Sequence, residues 1–319
     1  MIFLYFFLLI LGLAFVVKGA DFLIDGSSSI ARTFKIPEIV IGLTIISMGT
    51  SAPELIVNIF ASVKGSSDIV FGNVIGSNLC NLLLILGLSA VIFPITVKRN
   101  TVFKEIPFTI IAAFILLIFA NFTIFNSPDK ALDRFEGAVL LILFVLFLFY
   151  VYRLNKNSKE EEESEIKMIK TPLAVLFVVL GFAGLFIGGK LTVDNAVNIA
   201  KLLGVSEKLI ALTIISIGTS LPELATSAIA AYKKRSDIAI GNVVGSNIFN
   251  ILFILGVSGI IRPVAFQNIM NIDIAVLLAG SVLLFAVMFI GKRHILSRAE
   301  GAFFLFGYVG YMAYLIIRG

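Results

Sequence analysis

Gly49-Thr50-Ser51-Ala52-Pro53-Glu54 is a polar hexapeptide ending in a carboxylate, set inside an apolar run from Ile39 to Val63. A second copy, Gly218-Thr219-Ser220-Leu221-Pro222-Glu223, lies in a similar run between Leu209 and Ala231. A carboxylate at bilayer depth costs on the order of 3 kcal/mol on insertion scales, so it is seldom placed there without a task. Runs this apolar cross a membrane unless something shields them.

Hydrophobic residues make up 59% of the chain, above the roughly 45 to 50% of a soluble domain. Apolar segments of spanning length recur throughout with short connections, and no period-two alternation marks barrel strands. The fold class is therefore an all-α integral membrane protein. Ten transmembrane helices are expected at about 2–25, 38–63, 69–94, 103–123, 132–153, 172–195, 207–232, 238–262, 270–291 and 298–317. The first segment lacks a basic start and is long for a cleaved signal, so it is expected to be a retained helix. Residues 154–170, with a glutamate run flanked by lysines, are too polar to enter a bilayer and read as a charged cytoplasmic linker.

A shift of 169 residues superposes the two halves. Glu38 to Pro94 against Glu207 to Pro263 gives about 32 identities in 57 positions without a gap. Gly19 meets Gly188, Asp25 meets Asp194 and Ala31 meets Ala200, which extends the repeat to the first and sixth helices. The units are 1–153 and 171–319. Five helices per unit is an odd number, so the second must enter from the opposite side and the topology is inverted. Lys and Arg residues favour the loops that are cytoplasmic if both termini lie outside, which predicts a multi-pass cell-membrane protein with extracytoplasmic termini. The +5 charge is thus topology and does not point to nucleic acid.

Thr50 and Glu54 share a helix face, with Ser51 beside them. Pro53 removes a backbone donor and frees the carbonyl of Gly49. Thr219, Ser220 and Glu223 repeat the pattern. Asn73, Ser77 and Asn81 form a stripe at i+4 spacing, matched by Asn242, Ser246 and Asn250, and such a stripe must face protein or water. Gly72, Gly76, Gly241 and Gly245 allow these helices to press against the broken turns. Asn73, Asn78, Asn242 and Asn247 read as interhelical hydrogen-bond partners as readily as ligands. The donor set is all oxygen, without a basic residue near either motif, which suits hard cations such as calcium and sodium. Cys80 is the lone cysteine and reads as packing; His294 reads as a solvated loop residue. Asp25 and Asp194 are placed near helix ends, where they would cap or gate.

The paired Gly-Thr-Ser-x-Pro-Glu motifs, each followed by Gly-Asn-Val-x-Gly-Ser-Asn-x-x-Asn at 72–81 and 241–250, resemble the two alpha repeats of the cation/calcium exchanger superfamily, most closely its prokaryotic sodium/calcium exchangers. The resemblance implies an antiporter, not an enzyme, working by alternating access, with the first and sixth helices sliding across a core bundle. It implies calcium held by Glu54 and Glu223 with the carbonyls of Thr50 and Thr219. Sodium would use the same carboxylates with Ser51, Ser77, Ser220 and Ser246 and the carbonyls of Ser47 and Ser216, while Asn81 and Asn250 border the centre. Calcium, sodium and the lipid bilayer are the partners; no cofactor or obligatory protein partner is expected. Some members carry aspartate where this chain has Asn250, which sets potassium dependence apart. Proton/calcium exchange, potassium-dependent exchange and a cation channel are the alternatives.

Overall fold

A computed structural model describes residues 2–122, 131–157, 169–205 and 216–318. The helices are α1 (Ile2–Thr33), α2 (Glu38–Thr50), α3 (Ala52–Lys64), α4 (Ser67–Ile92), α5 (Thr101–Asn121) and α6 (Arg134–Asn157), and then α7 (Thr171–Leu202), α8 (Ser216–Thr219), α9 (Leu221–Tyr232), α10 (Ser236–Ile261), α11 (Asn268–Val287) and α12 (Arg298–Arg318). Among the described residues eight helices are long and apolar enough to cross a membrane, and α2 with α3 passes the same test as a pair bent by 47°. Their outer faces carry large apolar side chains such as Phe3, Phe7, Val145, Phe306 and Ile317. Such a surface belongs against lipid, and the chain is a multi-pass helical membrane protein.

Burial sorts the helices. In α4 and α10, 72% and 78% of the most apolar window is buried, against 17% in α1 and 28% in α7, so the first two form the centre and the last two the flank. The flanking pair is joined backbone to backbone: a Cβ on Gly19 would sit 2.7 Å from the Leu185 nitrogen. Small residues are what permit helices to approach this closely in lipid. On the central side, a Cβ on Gly245 would lie 2.8 Å from Leu43 Cα, which brings α10 hard against the broken helix. The matching expectation fails at Gly72, which is exposed and where a Cβ would meet nothing within 4 Å, so α4 makes no close approach through it. Residues 206–215, and 158–168 of the linker, lie outside the described residues. Two short ladders tie the halves together, β1 (Ile95–Thr96) pairing with Ile295–Leu296, and Ala131–Leu132 with Val264–Ala265.

Most expected segments agree with the helices to within four residues where both are described. The first and sixth do not. α1 runs on to Thr33 and α7 to Leu202, eight and seven residues past the expected ends at 25 and 195. The Gly26-Ser27-Ser28-Ser29 run has weak helix propensity, but it is buried, and at Gly26 the helix meets the Ala174 carbonyl of α7. Packing overrides propensity here. Asp25 and Asp194 therefore lie inside helices and cap nothing: Asp25 pairs at 2.5 Å with Lys233, which directly follows α9, and Asp194 with Lys190 at 3.5 Å. His294 is half-buried, its ring edge-on to Phe103 and Phe289.

Candidate metal centre

Each motif breaks its helix in the same way. Ser51 sits at the junction of α2 and α3 with φ −82° and ψ 8°, and Ser220 at the junction of α8 and α9 with φ −86° and ψ 9°. Pro53 and Pro222 follow in the first turn of α3 and α9, where a missing N–H is tolerated, and Glu54 and Glu223 come immediately after. Both carboxylates are buried, at 1% exposure each. Neither faces lipid.

The two breaks meet through an exchange of hydroxyls. Ser51 Oγ donates to Glu223 Oε1 at 2.6 Å, and Ser220 Oγ donates to Glu54 Oε1 at 3.0 Å. Each serine thus serves the carboxylate of the other half. Ser77 Oγ lies 3.4 Å from Glu54 Oε1 and accepts from Ser220 Oγ at 3.3 Å, so α4 joins the cluster. Ser246 of α10 donates to the Ser47 carbonyl at 3.5 Å. That carbonyl also accepts from the Ser51 N–H at 3.0 Å and from Thr50 Oγ1 at 3.3 Å. The Thr50 hydroxyl is further tied to Asn242 Oδ1 at 3.2 Å. Thr219 is half-buried beside its break. Of Ser216 only the backbone is described, opening α8.

Asn81 and Asn250 sit where α4 and α10 widen into a π-helical turn, at Cys80–Ile85 and Phe249–Ile254. Such single wide turns recur at functional sites. A third wide turn, Gly42–Ile46, lies just before the first break. None of these turns is legible from periodicity, since a widening this short leaves the apolar pattern nearly intact.

The remaining asparagines act as anchors. Asn73 Nδ2 donates to the Glu54 carbonyl at 3.3 Å and to Asn58 Oδ1 at 2.7 Å; Asn242 Nδ2 donates to the Glu223 carbonyl at 3.3 Å and to Ser227 Oγ at 2.9 Å. Asn58 and Ser227 escape a sequence reading focused on the motifs, although both occupy the position four residues after the glutamate. Cys80 is buried and free.

Glu54 Oε2, Glu223 Oε2, Asn81 Oδ1 and Asn250 Oδ1 are buried oxygens without a hydrogen-bond partner among the described residues. Among the described residues no lysine, arginine or histidine pairs with either carboxylate. Two buried negative charges without a protein cation are costly, by several kcal/mol per ion. Carboxylate, hydroxyl and amide oxygens in one place are the ligand chemistry of hard cations.

The chain is similar to the inner membrane protein YrbG of Escherichia coli (strain K12), 36% identical with 97% of this chain and 95% of that protein covered. It is 34% identical to the sodium/calcium exchanger MaX1 of Methanosarcina acetivorans, with 97% and 98% covered. Its fold is similar to a solved structure of the sodium-calcium exchanger NCX_Mj soaked with sodium and strontium. There the TM-score is 0.84, at 32% identity over 98% of this chain and 99% of that one. The family described as sodium/calcium exchanger protein matches residues 4–153 and 173–317, and the chain belongs to it.

Proposed function

We propose that this chain is a secondary antiporter that exchanges sodium for calcium by alternating access, with both ions competing for Glu54 and Glu223. The observation that carries the reading is the crossed pair of hydroxyl bonds, Ser51 to Glu223 and Ser220 to Glu54, around two buried carboxylates that no cation pairs with among the described residues. Calcium would neutralise the two charges. Sodium ions would draw on the same carboxylates with Ser51, Ser77, Ser220 and Ser246, while Asn81 and Asn250 border the centre.

On this reading the chain has ten spans in two inverted five-helix units, 1–153 and 171–319, joined by the cytoplasmic linker 154–170. Both termini are extracytoplasmic in the cell membrane, and the ions are the cargo, with no cofactor and no obligatory protein partner. The flanking pair α1 and α7 is the moving element. An empty site keeps two desolvated charges, which opposes closure around it and couples the two ion flows. Proteoliposomes loaded with sodium should take up labelled calcium on dilution into sodium-free buffer. Uptake that ignores the sodium gradient but follows a pH jump would replace this reading with proton/calcium exchange, and single-channel currents would replace it with a pore.

A further inference from the structure

The four asparagines between α4 and α10 are all buried to 1% exposure or less. Asn81 Nδ2 donates to Asn247 Oδ1 at 3.1 Å, and Asn250 Nδ2 donates to Asn78 Oδ1 at 3.0 Å. Asn78 Nδ2 in turn donates to the Asn247 carbonyl at 3.3 Å. The bonds cross between the halves, as the serine bonds do. Among the described residues, Asn81 Oδ1 and Asn250 Oδ1 have no partner of their own.

A carboxamide has a donating end and an accepting end, and a cation is drawn to one and repelled by the other. An asparagine free to turn would present either. Here the NH2 end of Asn81 is taken by an oxygen of Asn247 and that of Asn250 by an oxygen of Asn78, which leaves Oδ1 as the unengaged end in both. Ser77 and Ser246, which reach the carboxylate cluster and the Ser47 carbonyl, lie one turn before Asn81 and Asn250 on the same helices.

Resting on the antiport reading, we propose that Asn78 and Asn247 are positioning residues: each holds the other half's Asn250 or Asn81 by its NH2 end, so that the ion meets only oxygen. They touch no ion themselves. Their effect passes through the asparagine they hold, as outer partners of metal ligands commonly act, and is worth about 10-fold or more in affinity. Helix docking alone would predict otherwise, because the α4–α10 contact would then matter whatever stands at position 81 or 250.

The test is a double-mutant cycle on the full chain. Calcium chloride is titrated into detergent-purified wild type, Asn81→Ala, Asn247→Ala and the double variant, with exchange K½ and maximal rate measured in proteoliposomes. We expect Asn247→Ala to weaken calcium binding about 10-fold with the maximal rate nearly unchanged, and the double variant to bind no more weakly than Asn81→Ala alone. Multiplying effects in the double variant, or a fall in maximal rate with unchanged affinity, would overturn the proposal. Where Asn247→Ala does not fold, Asn247→Asp keeps an accepting oxygen in the same volume. Binding at least as tight as wild type supports the proposal, and tenfold weaker binding overturns it. Calcium binding by wild type without sodium-driven uptake would end the antiport reading and leave this one standing.

Discussion

Replacing Glu223 by glutamine separates the site's two costs by sign. The substitution keeps the shape, and Ser51 Oγ, now 2.6 Å from Oε1, can accept from an amide NH2 as readily as it donates to a carboxylate. What changes is charge. Two unit charges 4 Å apart attract by about 4 kcal/mol at an effective dielectric near 20. A divalent ion at coordination distance gains more, and its desolvation returns part of the gain. Taking about 4 kcal/mol as the net loss, calcium affinity falls about 1,000-fold, since each 1.4 kcal/mol is tenfold. The ion-free protein moves the other way, because one of two buried acids that no cation pairs with among the described residues is gone. Purified Glu223→Gln should melt no lower than wild type in calcium- and sodium-free buffer. Calcium should raise the melting temperature of wild type and leave the variant unmoved, while vesicle uptake is lost. A variant that calcium still stabilises, or that melts well below wild type without ions, would refute the assignment of Glu223 as a charged ligand.

Ser51→Ala and Ser220→Ala each remove a hydroxyl donated to a buried carboxylate, a bond worth about 1.5–3 kcal/mol. The half-saturating sodium concentration for exchange should rise about tenfold in each, as a sodium titration of calcium efflux will show. Lys233, directly after α9, ties the end of that helix to α1 through Asp21 at 2.6 Å and Asp25 at 2.5 Å. Lys233→Glu should lower the melting temperature, and adding Asp25→Lys should restore part of it; no rescue would mean that the pairs do not hold α1. Gly245→Ala drives a Cβ to within 2.8 Å of Leu43 Cα and 2.9 Å of its carbonyl, so α2 must shift and the protein should lose roughly 2 kcal/mol. Gly310→Ala, on an open face of α12, should be neutral or stabilising by roughly 0.5–1 kcal/mol. Equal melting temperatures for the two glycine variants would argue against the close α2–α10 approach.

The helices were legible because each needs about 20 apolar residues to span, and charge and proline mark where they stop. The broken turns were legible because proline, glycine and a carboxylate in an apolar run have few structural uses. The overlong α1 was not: Gly26-Ser27-Ser28-Ser29 reads as a terminus by propensity, and only its burial against α7 makes it helix. Asp25 was misplaced with it, because its partner, Lys233, is 208 residues away and no periodicity links the two. The asparagine stripe was visible as a stripe, but spacing along one helix says nothing about which residue on the opposite helix each amide meets. Hence the sequence leaves Asn78 and Asn247 open between hydrogen-bond partner and ligand, and only the structure has them holding Asn250 and Asn81.

The crossed bonds have a consequence for how such a site is assembled. If Ser51 served Glu54 and Ser220 served Glu223, each half would carry its own partly satisfied carboxylate, and the halves could separate with little change at either acid. Instead each carboxylate finds its serine on the other half, and each bordering asparagine finds its anchor there too. Any displacement of one half relative to the other near the breaks therefore disturbs all four groups at once. Buried charges and amides are expensive to leave half satisfied, so these contacts favour a central scaffold of α3, α4, α9 and α10 that stays docked. On the proposed alternating-access reading, motion would be left to the elements that share few of these bonds. α1 and α7 fit that requirement: their close backbone contact is with each other, most of their surface is outside the core, and no hydrogen bond from either reaches the carboxylates among the described residues.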